Sequence, residues 1–270
     1  MNFTLIFLLL FIVNSAVAED LIADLAFVSV PGGMFMMGSK GKYKDEQPIH
    51  KLTVNSFLLM DHELTLGELK KLLKTHPQLL LRNVEADMRE YQEDLESKID
   101  LDDMPVDLTW AEATTIAEKL THTSGKRIRL LTEAEWEYAA RGGLVGKQYP
   151  WGDLNDKVDG TTVASLLRQI WGSETCEPRS SMPLRKVRTL SPKNAFGLYD
   201  MAGNAWEWTS SLYRPYPYKG TDGREGKGRQ DDMRVIRGGG AAPETCDVRV
   251  SFRGYGSMES RYGVRYVAEK

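Results

Sequence analysis

Residues 194–211 constrain this chain more than any other stretch. They place four aromatics (Phe196, Tyr199, Trp206 and Trp208) around Gly197, Gly203 and Asn204, with carboxylates at Asp200 and Glu207. Glycines alternating with large rings call for an irregular backbone folded closely around those rings, because only glycine lets main chain and indole approach without a Cβ between them. The two carboxylates flank a turn. They suit either a hard cation such as calcium, which takes oxygen donors, or plain capping of backbone N–H groups, an ordinary task for Asp and Asn.

The composition is that of a soluble protein of 270 residues with net charge −3, so nothing in it points to nucleic acid or to an anionic membrane. An apolar run over residues 3–13, followed by Ala16-Val17-Ala18 and Glu19, has the length of a signal-peptide core with a small-x-small cleavage site. The expectation is a signal peptide over residues 1–18, an exported (periplasmic or secreted) mature chain from residue 19, and no stable membrane anchor after cleavage.

Along that chain, residues 25–31 read as a strand ending at Pro31. Residues 34–38 continue extended, and residues 49–59 alternate as one half-buried strand (Leu52, Val54, Phe57, Leu59). Three capping boxes, Thr65-Leu-Gly-Glu68, Thr109-Trp-Ala-Glu112 and Thr132-Glu-Ala-Glu135, each set a helix start. The predicted helices run over about residues 66–76, from Trp110 to a stop at Gly125, and over 133–141 with Gly142-Gly143 as terminator. A charged amphipathic helix is expected as an insertion over about residues 83–98, with Val84, Met88, Tyr91 and Leu95 on one stripe. Residues 160–193 show little periodicity. Residues 214–232 read as an exposed loop, and the end of the chain as short strands (235–236, 248–252, 264–267) between glycine turns.

The longest of these motifs recur together in one family. Pro31-Gly-Gly-x-Phe-x-Met-Gly38, Leu131-Thr-Glu-Ala-Glu-Trp-Glu-Tyr-Ala-Ala-Arg-Gly-Gly143, Tyr149-Pro-Trp-Gly152, Asn194-x-Phe-Gly-Leu-Tyr-Asp-Met-x-Gly-Asn-x-Trp-Glu-Trp208, Arg237-Gly-Gly239 and Gly263-Val-Arg265 together resemble the formylglycine-generating enzymes, or sulfatase-modifying factors. The resemblance covers about residues 27–267. It implies an α+β fold: a single C-type-lectin-like domain over residues 19–270, low in regular secondary structure. It also implies a calcium ion at the aromatic turn, held by the Asp200 side chain, the carbonyls of Gly203 and Ala205, and the Glu207 carboxylate. A second calcium site of the family finds no counterpart in residues 160–196.

The reaction chemistry departs from the family. Members that make formylglycine bind copper(I) through two cysteines in the pattern Ser-x2-Cys-x4-Cys-x3-Arg-x3-Arg, and copper(I) wants two soft thiolates. Counted from Gly240, at the serine position, the cysteines would fall at Pro243 and Val248; counted back from Arg249 and Arg253, at Gly240 and Thr245. Cys246 lies near the second position and nothing replaces the first, so copper is not expected. The other cysteine is Cys176. An exported chain with two cysteines either bonds them, here Cys176–Cys246, or leaves them as thiols, with a redox site as a third case.

Histidines 50, 62, 76 and 122 are scattered and form no metal motif; they read as surface or core-edge residues. The favoured expectation is a calcium-stabilised ligand- or protein-binding module. Its C-terminal surface (Arg253, Tyr255, Arg261, Tyr262) suits an anionic, glycan or protein ligand, because arginine forks and aromatic faces serve such groups. Internal salt bridging is the alternative role for the arginines of this segment. The alternative function is a divergent oxidoreductase of the family, either of the siderophore-tailoring type or oxidising a sulfatase cysteine with Cys246.

Overall fold

The computed structural model describes residues 25–41, 43–75, 101–171, 184–240 and 248–269. The signal segment, the predicted helix at 83–98 and both cysteines lie outside the described residues. Among the described residues, no helix is long and apolar enough to cross a membrane.

A four-stranded antiparallel sheet joins the two ends of the domain. Strand β1 (Phe27–Val30) pairs with β4 (Phe57–Met60), β4 with the late strand β13 (Tyr266–Ala268), and β13 with β6 (Ile128–Leu130). Between β1 and β4 the hairpin β2 (Gly33–Met37) and β3 (His50–Val54) stands as its own two-stranded sheet. The single strand expected over 49–59 is therefore two, broken at Asn55-Ser56. Gly32, between β1 and β2, packs against this break so closely that a Cβ there would meet the Ser56 nitrogen at 2.7 Å.

The capping boxes form as read. In helix α1 (Leu66–Thr75), Thr65 Oγ1 accepts from Glu68 N at 3.1 Å and Glu68 Oε2 from Thr65 N at 3.0 Å. Thr109, in β5 (Leu108–Thr109), caps α2 (Trp110–Ser124), and Thr132 caps α3 (Glu133–Arg141), by the same reciprocal pair; α2 and α3 end on left-handed Gly125 and Gly142. Helix α2 presses Ala113, Ile116, Ala117 and Leu120 onto β6 and β13, with Leu64, Leu69 and Leu72 from around α1 in the same core. Helix α3 is buried nearly all round, its Trp136 packed among Leu131, Leu198, Met201 and Val250.

Beyond the small β7–β8 hairpin (Lys157–Val158, Thr161–Thr162), residues 160–193 hold a helix that the expectation of little periodicity overlooked, α4 (Val163–Trp171). Its signals are short: Thr162 Oγ1 accepts from Ser165 N at 3.2 Å as a cap, and Val163, Leu166 and Leu167 pack against Trp151, Ala202 and Val248. A second sheet runs in the order β11 (Gly254–Gly256), β10 (Arg234–Arg237), β9 (Glu207–Leu212). Strand β12 (Arg261–Tyr262) pairs with β5. Residues 248–252, expected as a strand, form a turn in which Arg237 Nη1 donates to the carbonyls of Val250 (3.1 Å) and Phe252 (2.9 Å). Side-chain donors thus satisfy carbonyls that a ladder would otherwise have to pair.

Candidate functional site

The aromatic stretch grips α3 before it turns. Buried Asn194 donates from Nδ2 to the carbonyls of Ala139 (2.8 Å), which also accepts from Gly142 N, and Ala140 (3.2 Å), in the last turn of the helix. Its Oδ1 accepts from Phe196 N and Leu198 N. The chain then turns through three left-handed positions, Asp200 (φ 56°), Gly203 (φ 104°) and Asn204 (φ 67°), the residue types that tolerate this region. Gly263 backs the turn; a Cβ there would stand 2.9 Å from the Ala205 Cβ and 3.0 Å from the Trp206 carbonyl. The turn leads into β9, where Trp208, fully buried, donates from Nε1 to the Leu108 carbonyl at 2.8 Å.

Four charged side chains meet beneath this turn, all essentially inaccessible to water: Glu63, Asp200, Glu207 and Arg265. The Arg265 guanidinium forks onto Glu207 (Nη2–Oε1 2.7 Å, Nε–Oε2 2.9 Å), and Trp136 Nε1 donates to Glu207 Oε2 at 2.8 Å. Asp200 Oδ2 accepts from Arg188 N at 2.6 Å, whereas its Oδ1 is buried with no partner. Both oxygens of Glu63 are likewise buried without a hydrogen bond, Oε2 standing 3.9 Å from Arg265. Burial, then repulsion from Asp200, pushes the Glu63 carboxyl well above the usual carboxylate range. Burial also raises Asp200, against the pull of the Arg188 N–H and Arg265.

Two carboxylates and two main-chain carbonyls make an all-oxygen donor set, and the orphaned Asp200 Oδ1 is an acceptor in want of a cation or donor, so the residues present suit calcium. Among the described residues no three His, Cys, Asp or Glu side chains form a ready-made cage, so such a site depends on the carbonyls.

His62, read as a surface or core-edge residue, is instead buried between two carboxylates: Nδ1 meets Asp61 Oδ1, and Nε2 lies 3.1 Å from Glu68 Oε1. Carboxylates only accept, so both ring nitrogens must carry protons. Burial opposes that charge, but the bonds to Asp61 and Glu68 outweigh it and hold the imidazole pKa above its ordinary value. Stability from this clasp is full below about pH 6.5, the ordinary histidine value, and is lost as pH rises through the raised folded-state pKa. Denaturant unfolding across that window should therefore show stability falling with rising pH, with a flatter profile for His62→Gln. Identical slopes would contradict it.

The four residues of the C-terminal surface take different places. Arg253 lies inside, in the salt-bridging role given as the alternative, with Nε and Nη2 on Glu133 (2.5 and 3.0 Å), Nη1 on the Asp45 carbonyl, and Nη2 also on the Arg214 carbonyl. Its guanidinium sits 4.7 Å beneath the Tyr213 ring and 4.1 Å from Tyr216, so it supports aromatic rings from below. Half-buried Arg261 pairs with Glu112 at 3.3 Å and donates to the Asp107 carbonyl; Tyr262 packs edge-on to Trp208 at 4.9 Å. Tyr255 alone projects outward, 58% exposed. It stands beside Tyr213 (centroids 5.0 Å apart), near partly exposed Met233, whose carbonyl accepts from Tyr213 N. Gly254 and Gly256 on either side carry no Cβ because Trp206 and Trp208 press on that face of β11, at 3.1 and 2.6 Å from where one would be. Sequence reading missed Tyr213 and Met233, which lie some 20–40 residues from Tyr255 and carry no motif.

A second close contact bears on chemistry. At Gly240 a Cβ would fall 2.5 Å from Trp206 Cδ1 and 3.0 Å from its Nε1, so the serine of the copper-site pattern does not fit without moving the indole.

The model of the sulfatase-modifying factor enzyme 1-like domain matches residues 18–270, and the chain belongs to this family. Serine/threonine-protein kinase pkn1 of Chlamydia pneumoniae is 31% identical over 261 residues, 88% of this chain and 37% of that protein. The chain thus spans little more than a third of that relative. The formylglycine-generating enzyme of Mycobacterium tuberculosis is 29% identical over 243 residues, covering 70% of this chain and 75% of the enzyme. Among solved structures, PvdO from Pseudomonas aeruginosa shares the fold at TM-score 0.64 and 24% identity, with 90% of this chain and 94% of that one covered.

Proposed function

We propose that this domain is a ligand- or protein-binding member of the family that does not generate formylglycine. One observation carries the reading: glycine stands at the position of the pattern's serine, and the Trp206 indole fills the space its side chain would need. The donor chemistry agrees, since the chain has two cysteines and only Cys246 lies near the pattern. The contact surface in this proposal is the aromatic pair Tyr255 and Tyr213 with Met233. Tyrosine faces held on a braced sheet offer apolar area at low entropic cost to glycan or peptide. Titrating the purified protein with copper(I) against a competing thiol chelator tests the chemistry: no stoichiometric binding is expected, and tight one-to-one binding would contradict the proposal.

Calcium belongs to the same reading, as a brace. The Asp200 side chain, the Gly203 and Ala205 carbonyls and Glu207 would hold it, fixing the turn that links α3 to β9. Calcium a hundredfold above its dissociation constant stabilises a fold by about 2.7 kcal/mol, so EGTA should lower the melting temperature of the wild type and leave Asp200→Ala unmoved. A wild-type melt that ignores EGTA would contradict the brace. Export through a signal segment at residues 1–18 completes the proposal; N-terminal sequencing of secreted material starting near residue 19 is its check.

A further inference from the structure

Tyr213 and Tyr255 reach each other across the strand that separates them. Tyr213 N donates to the carbonyl of Met233, just ahead of β10, and Tyr255 stands opposite Val235 on the other side of that strand. Met233 and Val235 are two residues apart, the period of a strand, so both tyrosines project from one face of the sheet. Their rings lean together over β10, centroids 5.0 Å apart and planes at 55°. Among the described residues this is the one ring contact between two tyrosines. The two rings differ in surroundings. Tyr255 is open to solvent, whereas half-buried Tyr213 donates its hydroxyl proton to Asp45 Oδ2 at 2.7 Å and lies 4.7 Å above the Arg253 guanidinium. Burial, then the bond to Asp45, pushes the Tyr213 phenol well above its ordinary pKa, so phenolate does not form first. A fixed cation under the ring also opposes the positive charge that loss of an electron alone would leave there. Oxidation of Tyr213 must therefore release the proton with the electron, and the Asp45 carboxylate is already at hydrogen-bond distance to receive it.

We propose that Tyr213 and Tyr255 form an oxidative cross-linking site, joined by a carbon–carbon bond when a haem peroxidase using hydrogen peroxide oxidises the exposed face, with Asp45 as the proton acceptor for Tyr213. Each phenol gives up one electron and one proton, that of Tyr213 passing to Asp45 and that of Tyr255 to water. The two phenoxyl radicals couple between ring carbons ortho to the hydroxyls, and the hydrogens on those carbons move to the oxygens and restore both phenols. Hydrogen peroxide takes up the two electrons and two protons and leaves as two waters. The bond joins the end of β9 to β11 and closes the chain between residues 213 and 255. The inference goes beyond the binding reading and does not rest on it.

The full chain, dilute and treated with a haem peroxidase and hydrogen peroxide, is the test. Dityrosine fluorescence should appear in the monomer band of a denaturing gel. Proteolysis should then yield one joined peptide that carries residues 213 and 255 and is lighter than the two free peptides together by two hydrogens. Tyr255→Phe and Tyr213→Phe should each abolish that peptide. Asp45→Asn, which keeps an acceptor oxygen but cannot take the proton, should slow its formation by about tenfold or more. Cross-linked protein should also melt above untreated protein, because a covalent tie across this span restricts the unfolded chain as a disulfide does. Fluorescence confined to dimers overturns the inference, since that marks Tyr255 of two copies meeting in solution. Monomer cross-linking that survives Tyr213→Phe, or no cross-link while Tyr255 is oxidised singly, also overturns it. A rate unchanged in Asp45→Asn overturns the part given to Asp45. Should Tyr213→Phe not fold, Tyr255→Phe, at an exposed position, decides the pair by the same readout.

Discussion

Glu133→Gln is expected to cost about 3–5 kcal/mol of stability, the usual cost of removing one partner from a buried ion network. In a chain of this size that corresponds to a fall in melting temperature on the order of 10 °C. Glu133 is fully buried at the start of α3 and accepts from Arg253 Nε and Nη2, from Arg237 Nη2 at 2.9 Å and from the Tyr216 hydroxyl at 3.1 Å. Arg237 passes the network on to Glu137 at 3.0 Å, and Glu137 to Arg141 at 2.6 Å. Burial alone would raise the Glu133 pKa, but the charges of Arg253 and Arg237 hold it below the usual carboxylate value. The sign follows: this stability is full above the ordinary glutamate pKa and is lost as pH falls through the lower folded-state value. Glutamine keeps the shape and one acceptor but takes the carboxylate from buried Arg253 and leaves Arg237 with Glu137 alone, which Arg141 shares. Chemical denaturation measures the loss, and a change below about 1 kcal/mol would show that water relieves the network. A Glu133→Gln/Arg253→Met pair should cost less than the sum of its parts, because the second change removes a charge that the first left uncompensated.

Arg265→Met is the second large effect, again about 3–5 kcal/mol. It removes the one cation among the described residues that pairs with Glu207 and Glu63, and leaves three carboxylates in the interior. Its guanidinium also donates to the Tyr199 carbonyl at 3.1 Å, so the loss reaches the aromatic stretch directly. Arg265→Lys should recover only part, because an ammonium cannot fork across both oxygens of Glu207 while reaching Tyr199. Full recovery by lysine would reduce the role of Arg265 to point charge.

Which parts of this molecule sequence reveals follows from how far apart the interacting residues lie. Capping boxes operate across three residues, so Thr65, Thr109 and Thr132 announce their helices. The Asn194–Trp208 stretch is dense enough to identify the family. The buried ion pairs span the chain: Glu46 with Arg249, Glu133 with Arg253, Glu207 with Arg265. No local pattern marks Arg253 as interior, which is why it read as ligand-facing when its acceptor lay on a helix far upstream. Glu63 was overlooked for the same reason. Beside the Thr65 box it passes for a solvated helix-entry residue, and the charged groups that face it, Asp200, Glu207 and Arg265, all lie far along the chain. Helix α4 was missed although Val163, Leu166, Leu167, Ile170 and Trp171 recur at helical spacing, because the segment was read together with the Arg-, Ser- and Pro-rich residues that follow it.

The central claim, a family scaffold that binds without generating formylglycine, meets its most direct test in one assay. The purified chain, supplied with copper(I), oxygen and a peptide containing Cys-x-Pro-x-Arg, is read by mass spectrometry beside a formylglycine-generating enzyme as control. The account predicts that the peptide cysteine stays unconverted with this chain while the control yields the aldehyde. An aldehyde formed by this chain would contradict it.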